Sequence, residues 1–160
     1  IELVKNSVLL CESFGDFAVV VANLNDDAKE QFRIVRTWVV EELCPKLKEV
    51  LHKEVEQPCA FLKQCFDVAH VVALAATSDK AVKDASSRSA VDELLGHEVA
   101  FEAAVVKVEA GLVGNHAVQQ FQFMTRYVRC SLAVAHFVKA INFDMTIVPL
   151  SAGVANFTAD

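Results

Sequence analysis

The chain has 160 residues, of which 54% are hydrophobic, and its formal net charge is -6 at pH 7. A domain of this length buries roughly 70% of the surface of its unfolded chain, so it can build a core without disulfides or metals. Lysine and arginine form no cluster, which argues against nucleic acid as a partner. The longest uncharged stretches are shorter than the roughly 20 apolar residues of a membrane helix, so an integral membrane protein is not expected.

Apolar residues recur at helical spacing through most of the chain. This periodicity predicts an all-α fold, a bundle of five or six largely antiparallel helices over residues 1–143. The first helix is predicted over residues 2–23. Asp27 followed by Glu30 resembles a capping box, so the second helix is predicted to begin at Ala28 and to extend to Val55.

The second predicted helix has the most regular amphipathic pattern, and its apolar stripe consists of Phe32, Val35, Val39, Leu43, Leu47 and Val50. Pro45 interrupts it and removes one backbone hydrogen bond. We therefore expect a kink at residues 41–44 or a split into two helices. Pro58 fits the first turn of a third helix, which is predicted to be central and to end near Thr77.

The second half of the chain begins with small and polar residues, 78–89, which we interpret as a short helix or a flexible connection. Ser89 with Asp92 resembles another capping box, which predicts one helix from there to the glycines at 111 and 114. The last helix is predicted over residues 116–143 and has two adjoining apolar stripes. Residues 144–160 favour extended backbone and are predicted to form a tail packed on the bundle or on a partner.

Five cysteines, at positions 11, 44, 59, 65 and 130, leave at least one unpaired in any monomeric disulfide scheme. If the helices on either side of residues 55–58 are antiparallel, Cys44 falls nearly level with Cys65. Cys11 and Cys130 are a second candidate pair across the bundle. Because the spacing matches no metal motif or disulfide framework, the favoured interpretation is reduced thiols in the core.

Three carboxylates, Glu98, Glu102 and Glu109, share one line of a predicted helix between two apolar arcs. In a desolvated cleft such groups could act as acids or bases, but a solvated helix face is the favoured interpretation.

Metal ligands are sparse in the sequence. Glu49 with His52 matches half of a di-iron carboxylate site, and Asp67 with His70 is a weak substitute for the other half. We therefore expect no metal. No phosphate loop, nucleophile motif or cofactor motif occurs, so neither a cofactor nor enzymatic activity is expected.

The aromatic residues comprise eleven Phe, one Trp and one Tyr, a composition that suits an interior or an apolar pocket. The apolar surplus leads us to expect a non-enzymatic module that binds a protein partner or copies of itself. The alternative is a carrier of an apolar small molecule, such as a lipid or pigment. Its ligand-binding residues would be Phe121, Met124, Phe137 and His70.

Overall fold

The computed structural model describes residues 25–75 and 85–140, and nearly all of this backbone is helical. The prediction of an all-α bundle is therefore confirmed. The helix predicted over residues 2–23 and the tail predicted over residues 144–160 lie outside the described residues. In chain order the elements are α1 (Asn25–Trp38), a π-helical turn (Val39–Leu43), α2 (Cys44–Leu51), a 3-10 turn (His52–Val55), α3 (Glu56–Ala75), α4 (Ala85–Gly96), α5 (Glu98–Glu109) and α6 (Asn115–Ala140).

The irregularity expected before Pro45 is present as the π-helical turn between α1 and α2. At its end the Cys44 N–H donates to the carbonyl oxygen of Val39, five residues back. Because a π turn holds more residues than an α turn, apolar residues spaced four apart remain on the same face of the rod through this turn. The buried face thus continues to Leu51 and Val55. The prediction that Val50 belongs to it is wrong, because Val50 is 71% exposed.

The rod formed by α1, the π turn and α2 runs antiparallel to α3. In the last turn of α1 the Arg36 guanidinium donates two hydrogen bonds to Asp67, of 2.5 and 3.0 Å. Near the end of the rod Lys48 Nζ donates to Glu56 Oε1 at 2.9 Å. As residue number rises on the rod it falls on α3, and the chain reverses at the 3-10 turn.

Helix α3 is the central helix that the sequence predicts, and Pro58 lies in its first turn. It packs against α4, α5 and α6 through the buried side chains Leu62, Phe66, Ala69 and Val72. Within the described residues, it is also the one helix whose length and apolar composition would suffice to cross a membrane.

Both predicted capping boxes are wrong. The backbone is already helical at Asn25, the first described residue, which places Asp27 inside α1. Ser89 lies inside α4, where the neighbouring residues Ser87 and Val91 are buried. At Ser89 the packing of α4 outweighs the local capping signal.

The single helix predicted between Ser89 and the glycines is divided at Gly96 and His97. Glycine is a poor helix former, and His97 takes φ -94° and ψ -4° as the residue before α5. The His97 N–H donates to the carbonyls of Glu93 and Leu94 at 3.2 and 3.1 Å, which closes α4. The helix axis can therefore change direction between α4 and α5.

Helix α6 has the two apolar stripes that its sequence predicts, and both are largely buried. Helix α6 runs antiparallel to α4 and α5, and its polar edge lies beside them. Lys139 Nζ donates to Asp92 at 2.8 Å, and the Arg129 guanidinium donates two bonds of 3.0 Å to Glu102. The bend between α5 and α6 contains Gly114 at φ 93°, a backbone conformation that glycine adopts without strain.

Candidate interaction surface

Helix α5 is apolar on two opposite faces. One face packs into the core through Phe101, Val105 and Val108. The opposite face, called the outer face below, carries Val99, which is 86% exposed, and Val106, which is 68% exposed. Between and after these valines lie two exposed alanines, Ala103 and Ala110. Steps of four, three and four residues align these four side chains on one line of the helix.

Single exposed apolar residues are common on protein surfaces. A contiguous apolar line of this kind is unusual, and it is typical of an interaction site. Val113, just beyond the end of α5, is 88% exposed and extends the apolar character of this end. The sequence already places Val99, Ala103 and Val106 on one arc of the helix. It gives no signal for which of the two arcs is buried.

Two grooves border the outer face on the side of Lys107. The larger, of about 440 Å³, is lined by Leu51, Glu54, Val55, Lys107 and Ala110. The smaller, of about 250 Å³, is lined by Gln57, Pro58, Phe61, Ala100, Ala103, Ala104 and Lys107. Side chains of a partner helix lying on α5 could enter these grooves, as ridges enter grooves when helices pack.

The two flanks of the outer face carry opposite charge. Glu102 and Glu109 lie one position before Ala103 and Ala110, and Lys107 lies one position after Val106. Arg129 of α6 bonds to Glu102, and that hydrogen bond raises the pKa of the Arg129 guanidinium. No ion pair of Lys107 occurs within the described part of the chain, so its ammonium group is available to a partner.

The three carboxylates of α5 do not converge on a cleft. Glu98 Oε1 lies 2.7 Å from His136 Nε2, and Glu102 binds Arg129. Glu109 is exposed on the last turn. This arrangement agrees with the solvated-face interpretation and leaves no desolvated carboxylate pair for acid–base chemistry on this helix.

The four residues proposed for an apolar-ligand pocket do not lie together. Phe121 and Met124 are buried in the core, at 1% and 0% exposure, and Phe137 is half-buried near the other end of α6. Because α6 is one continuous helix, Phe121 and Phe137 are separated by about 24 Å along its axis. Three grooves on the described residues are lined by other side chains.

His70 belongs to a buried polar contact between α3 and α6. Its Nδ1 lies 2.8 Å from the Tyr127 hydroxyl, and its ring stacks on Phe32 with centroids 4.2 Å apart. Burial raises the pKa of Tyr127, so the phenol keeps its proton. The contact ties α1, α3 and α6 together, which is a structural role.

No metal cluster forms in residues 25–75 and 85–140, where no group of three potential ligands occurs. Asp67 binds Arg36, and His70 contacts Tyr127, so the weaker of the two predicted half-sites is engaged in other contacts.

The four described cysteines are free thiols. Cys44 at the start of α2 is next to Cys59 in the first turns of α3, and this neighbour together with burial raises the pKa of Cys44. The level pairing of Cys44 with Cys65 expected from the sequence is wrong, because the chain reverses at residues 52–55 and not at 55–58. Cys11, the other expected partner of Cys130, lies outside the described residues.

Comparisons with family models, with curated proteins and with solved structures return no match to this chain.

Proposed function

We propose that this chain is a self-associating helical module, in which two copies pair through the outer face of α5. The observation that carries the proposal is the exposed apolar line of Val99, Ala103, Val106 and Ala110 on a helix whose other face is already buried. Burial of an exposed valine contributes about 1.5 kcal/mol or more, so pairing removes an unfavourable surface from water.

A second copy is the partner that fits the charges. In a parallel pair of identical helices, the residue just before an inner alanine on one helix lies beside the residue five positions later on the other helix. That second residue comes just after an inner valine. Glu102 of one copy then lies beside Lys107 of the other, and the two-fold axis repeats this ion pair. In an antiparallel pair the glutamate flanks would face each other, and so would the Lys107 side chains. The charge distribution therefore favours a parallel, two-fold symmetric dimer.

The alanines at 103 and 110 favour the same geometry. Small side chains at alternate inner positions let two helix backbones approach closely, while the valines fill the space between them. Helix α5 has only 12 residues, so the interface is smaller than the standard area of about 1,600 Å². We expect a weak dimer, with a dissociation constant in the micromolar range.

Sedimentation or light scattering over a wide protein concentration tests the proposal. The wild-type mass should rise from monomer to dimer. Val106→Glu should raise the dissociation constant by about 100-fold or more, because both copies lose a buried valine and gain an uncompensated charge. Ser86→Glu on α4 adds the same charge at an exposed position away from α5 and should leave association unchanged. A wild-type protein that stays monomeric at every concentration refutes self-association.

The orientation is tested by cross-linking a Val99→Cys variant with a short thiol-specific reagent and mapping the linked peptides. In a parallel dimer the two Cys side chains introduced at position 99 meet at the axis and are joined. In an antiparallel dimer position 99 faces Ala110, about 16 Å along the axis from its own counterpart, and no such product forms. Lys107→Glu should weaken a parallel dimer, and the effect should diminish at high salt.

A further inference from the structure

The larger groove beside α5 contains a carboxylate without a cation. Leu51 and Val55 give the groove apolar lining, and Glu54 in the 3-10 turn is exposed at it. Glu54 makes no ion pair within the described part of the chain, not even with Lys107, which lines the same groove. An apolar groove of about 440 Å³ with an unpaired acid suits a cationic side chain that has a long apolar stem.

Arg126 on α6 is a cation without a carboxylate. Its side chain is half-buried, and no ion pair of Arg126 occurs in residues 25–75 and 85–140. It shares a groove of about 250 Å³ with Gln122, Thr125 and Arg129. Because Arg129 binds Glu102 of α5, this groove lies next to the Glu102 flank of the outer face.

The register of α6 on α5 gives the height of Arg126 along α5. The two helices are antiparallel, and Arg129 is level with Glu102, to which it donates two hydrogen bonds. Arg126 comes three residues before Arg129, so it is level with the residue three positions after Glu102, which is Val105.

Glu54 lies at nearly the same height, because its groove is also lined by Lys107 and Ala110. These residues follow Val105 by two and five positions, which is about 3 and 8 Å along the helix axis. Equal residue numbers have equal heights in a parallel dimer. Arg126 of one copy and Glu54 of the other are therefore separated in height by no more than about one helical turn and a half.

The two groups also lie on flanks that face each other in the parallel dimer. Helix α6 borders the Glu102 flank of the outer face, and the larger groove borders the Lys107 flank. A two-fold axis parallel to the paired helices brings the Glu102 flank of each copy beside the Lys107 flank of the other. The surface of α6 around Arg126 thus faces the groove of the second copy, and the symmetry repeats this contact.

We propose that Arg126 of each copy enters the larger groove of the other copy and pairs with its Glu54. This inference rests on the proposed self-association through α5, and it extends the interface to α6 and to the 3-10 turn. The apolar stem of the arginine lies on Leu51 and Val55, while its planar head donates to the carboxylate. Such a pair allows two parallel hydrogen bonds, which a lysine could not make.

Charge exchange tests the pair by sedimentation over a range of protein concentrations. Arg126→Glu brings two acids together at both symmetric contacts and should raise the dissociation constant about tenfold or more. Glu54→Arg brings two bases together and should have a similar effect. The double variant restores opposite charges and should return to within about threefold of the wild type, whereas independent effects would multiply to about 100-fold.

Lys63→Glu is the matched control, since it makes the same change in charge as Arg126→Glu. Lys63 is exposed on α3, one turn from Asp67, which faces α1. Its reversal should leave the dissociation constant nearly unchanged. Circular dichroism checks that every variant is as helical as the wild type.

A second measurement detects the contact itself. In Arg126→Lys the charge is kept, and a carbodiimide can join the introduced amine to a carboxylate that it touches. Isotope-labelled and unlabelled chains of this variant are mixed, cross-linked and mapped by mass spectrometry. We expect peptides that join position 126 of one chain to Glu54 of the other, with one label in each linked pair.

The outcomes separate this inference from the pairing of α5. Additive charge reversals, or an absence of links between position 126 and Glu54 of different chains, overturn the Arg126–Glu54 contact. If the protein still dimerises in those experiments and Val106→Glu still weakens the dimer, the pairing of α5 stands. A wild type that stays monomeric at every concentration overturns both.

Discussion

Removing the Tyr127 hydroxyl should destabilise the bundle without disturbing its shape. Tyr127 is 1% exposed, and its hydroxyl lies 2.8 Å from His70 Nδ1. In Tyr127→Phe the ring keeps its contacts with Phe32 and Phe123, at centroid distances of 4.8 and 5.9 Å. The hydrogen bond to His70 is lost, so the half-buried His70 nitrogen loses this partner.

The expected loss in unfolding free energy is about 1 to 2 kcal/mol. A hydrogen bond contributes about 0.5 to 1.5 kcal/mol net, and a buried group deprived of its partner adds to that cost. Urea unfolding followed by circular dichroism measures the change. A double-mutant cycle with His70→Phe, which retains a ring to stack on Phe32, should give a coupling energy of about 1 kcal/mol. If Tyr127→Phe costs less than about 0.3 kcal/mol, or the two substitutions are additive, the contact does not stabilise the fold.

Two further substitutions probe the packing and the buried thiols. Gly111→Ala places a Cβ against Leu51 Cδ1 and 3.2 Å from Leu47 Cδ2. Urea unfolding should show a free energy of unfolding lower by about 1 kcal/mol, because the cost of overpacking exceeds the stabilisation that comes from a less flexible unfolded chain. In Gly96→Ala no atom lies within 4 Å of the new Cβ, so equal effects of the two substitutions would contradict this reasoning. Because burial raises the pKa of Cys65 from 9.0 to about 12, the unfolded chain loses a proton that the folded chain keeps, and stability should fall as pH rises from about 9 toward 12. Cys65→Ala should reduce this slope by up to about 1.4 kcal/mol per pH unit, and an unchanged slope in urea unfolding from about pH 8 to 10.5 would show that Cys65 does not titrate as argued.

The fold class could be predicted from the sequence because helical periodicity is repeated in almost every segment. Steps of three and four apolar residues on α6 specify both of its buried stripes. Pro45 likewise predicts a local break, since a proline removes a backbone donor wherever it falls inside a helix. Helix boundaries were less predictable. Asp27 and Ser89 match a capping pattern, yet both lie inside helices.

Which residues of two antiparallel helices lie opposite each other depends on where the chain turns between them. Placing the reversal at residues 55–58 puts Cys44 opposite Cys65, whereas the 3-10 turn at His52–Val55 puts it opposite Cys59. Each residue by which the turn moves along the chain changes the facing position by two. Sequence periodicity fixes the face of each helix but not this register, so the cysteine that faces Cys44 could not be predicted without the structure.

The outer face of α5 was hidden for a different reason. Its two apolar arcs lie on either side of the line of glutamates, so the apolar residues nearly surround the helix and no single direction is marked as the interior. Both arcs carry valines, but Phe101 belongs to only one, and its large ring is fully buried. A helix of this pattern has more apolar surface than one core can cover. The arc with the smaller side chains is left facing outward, and its flanking residues, Glu102 and Lys107, are opposite in charge.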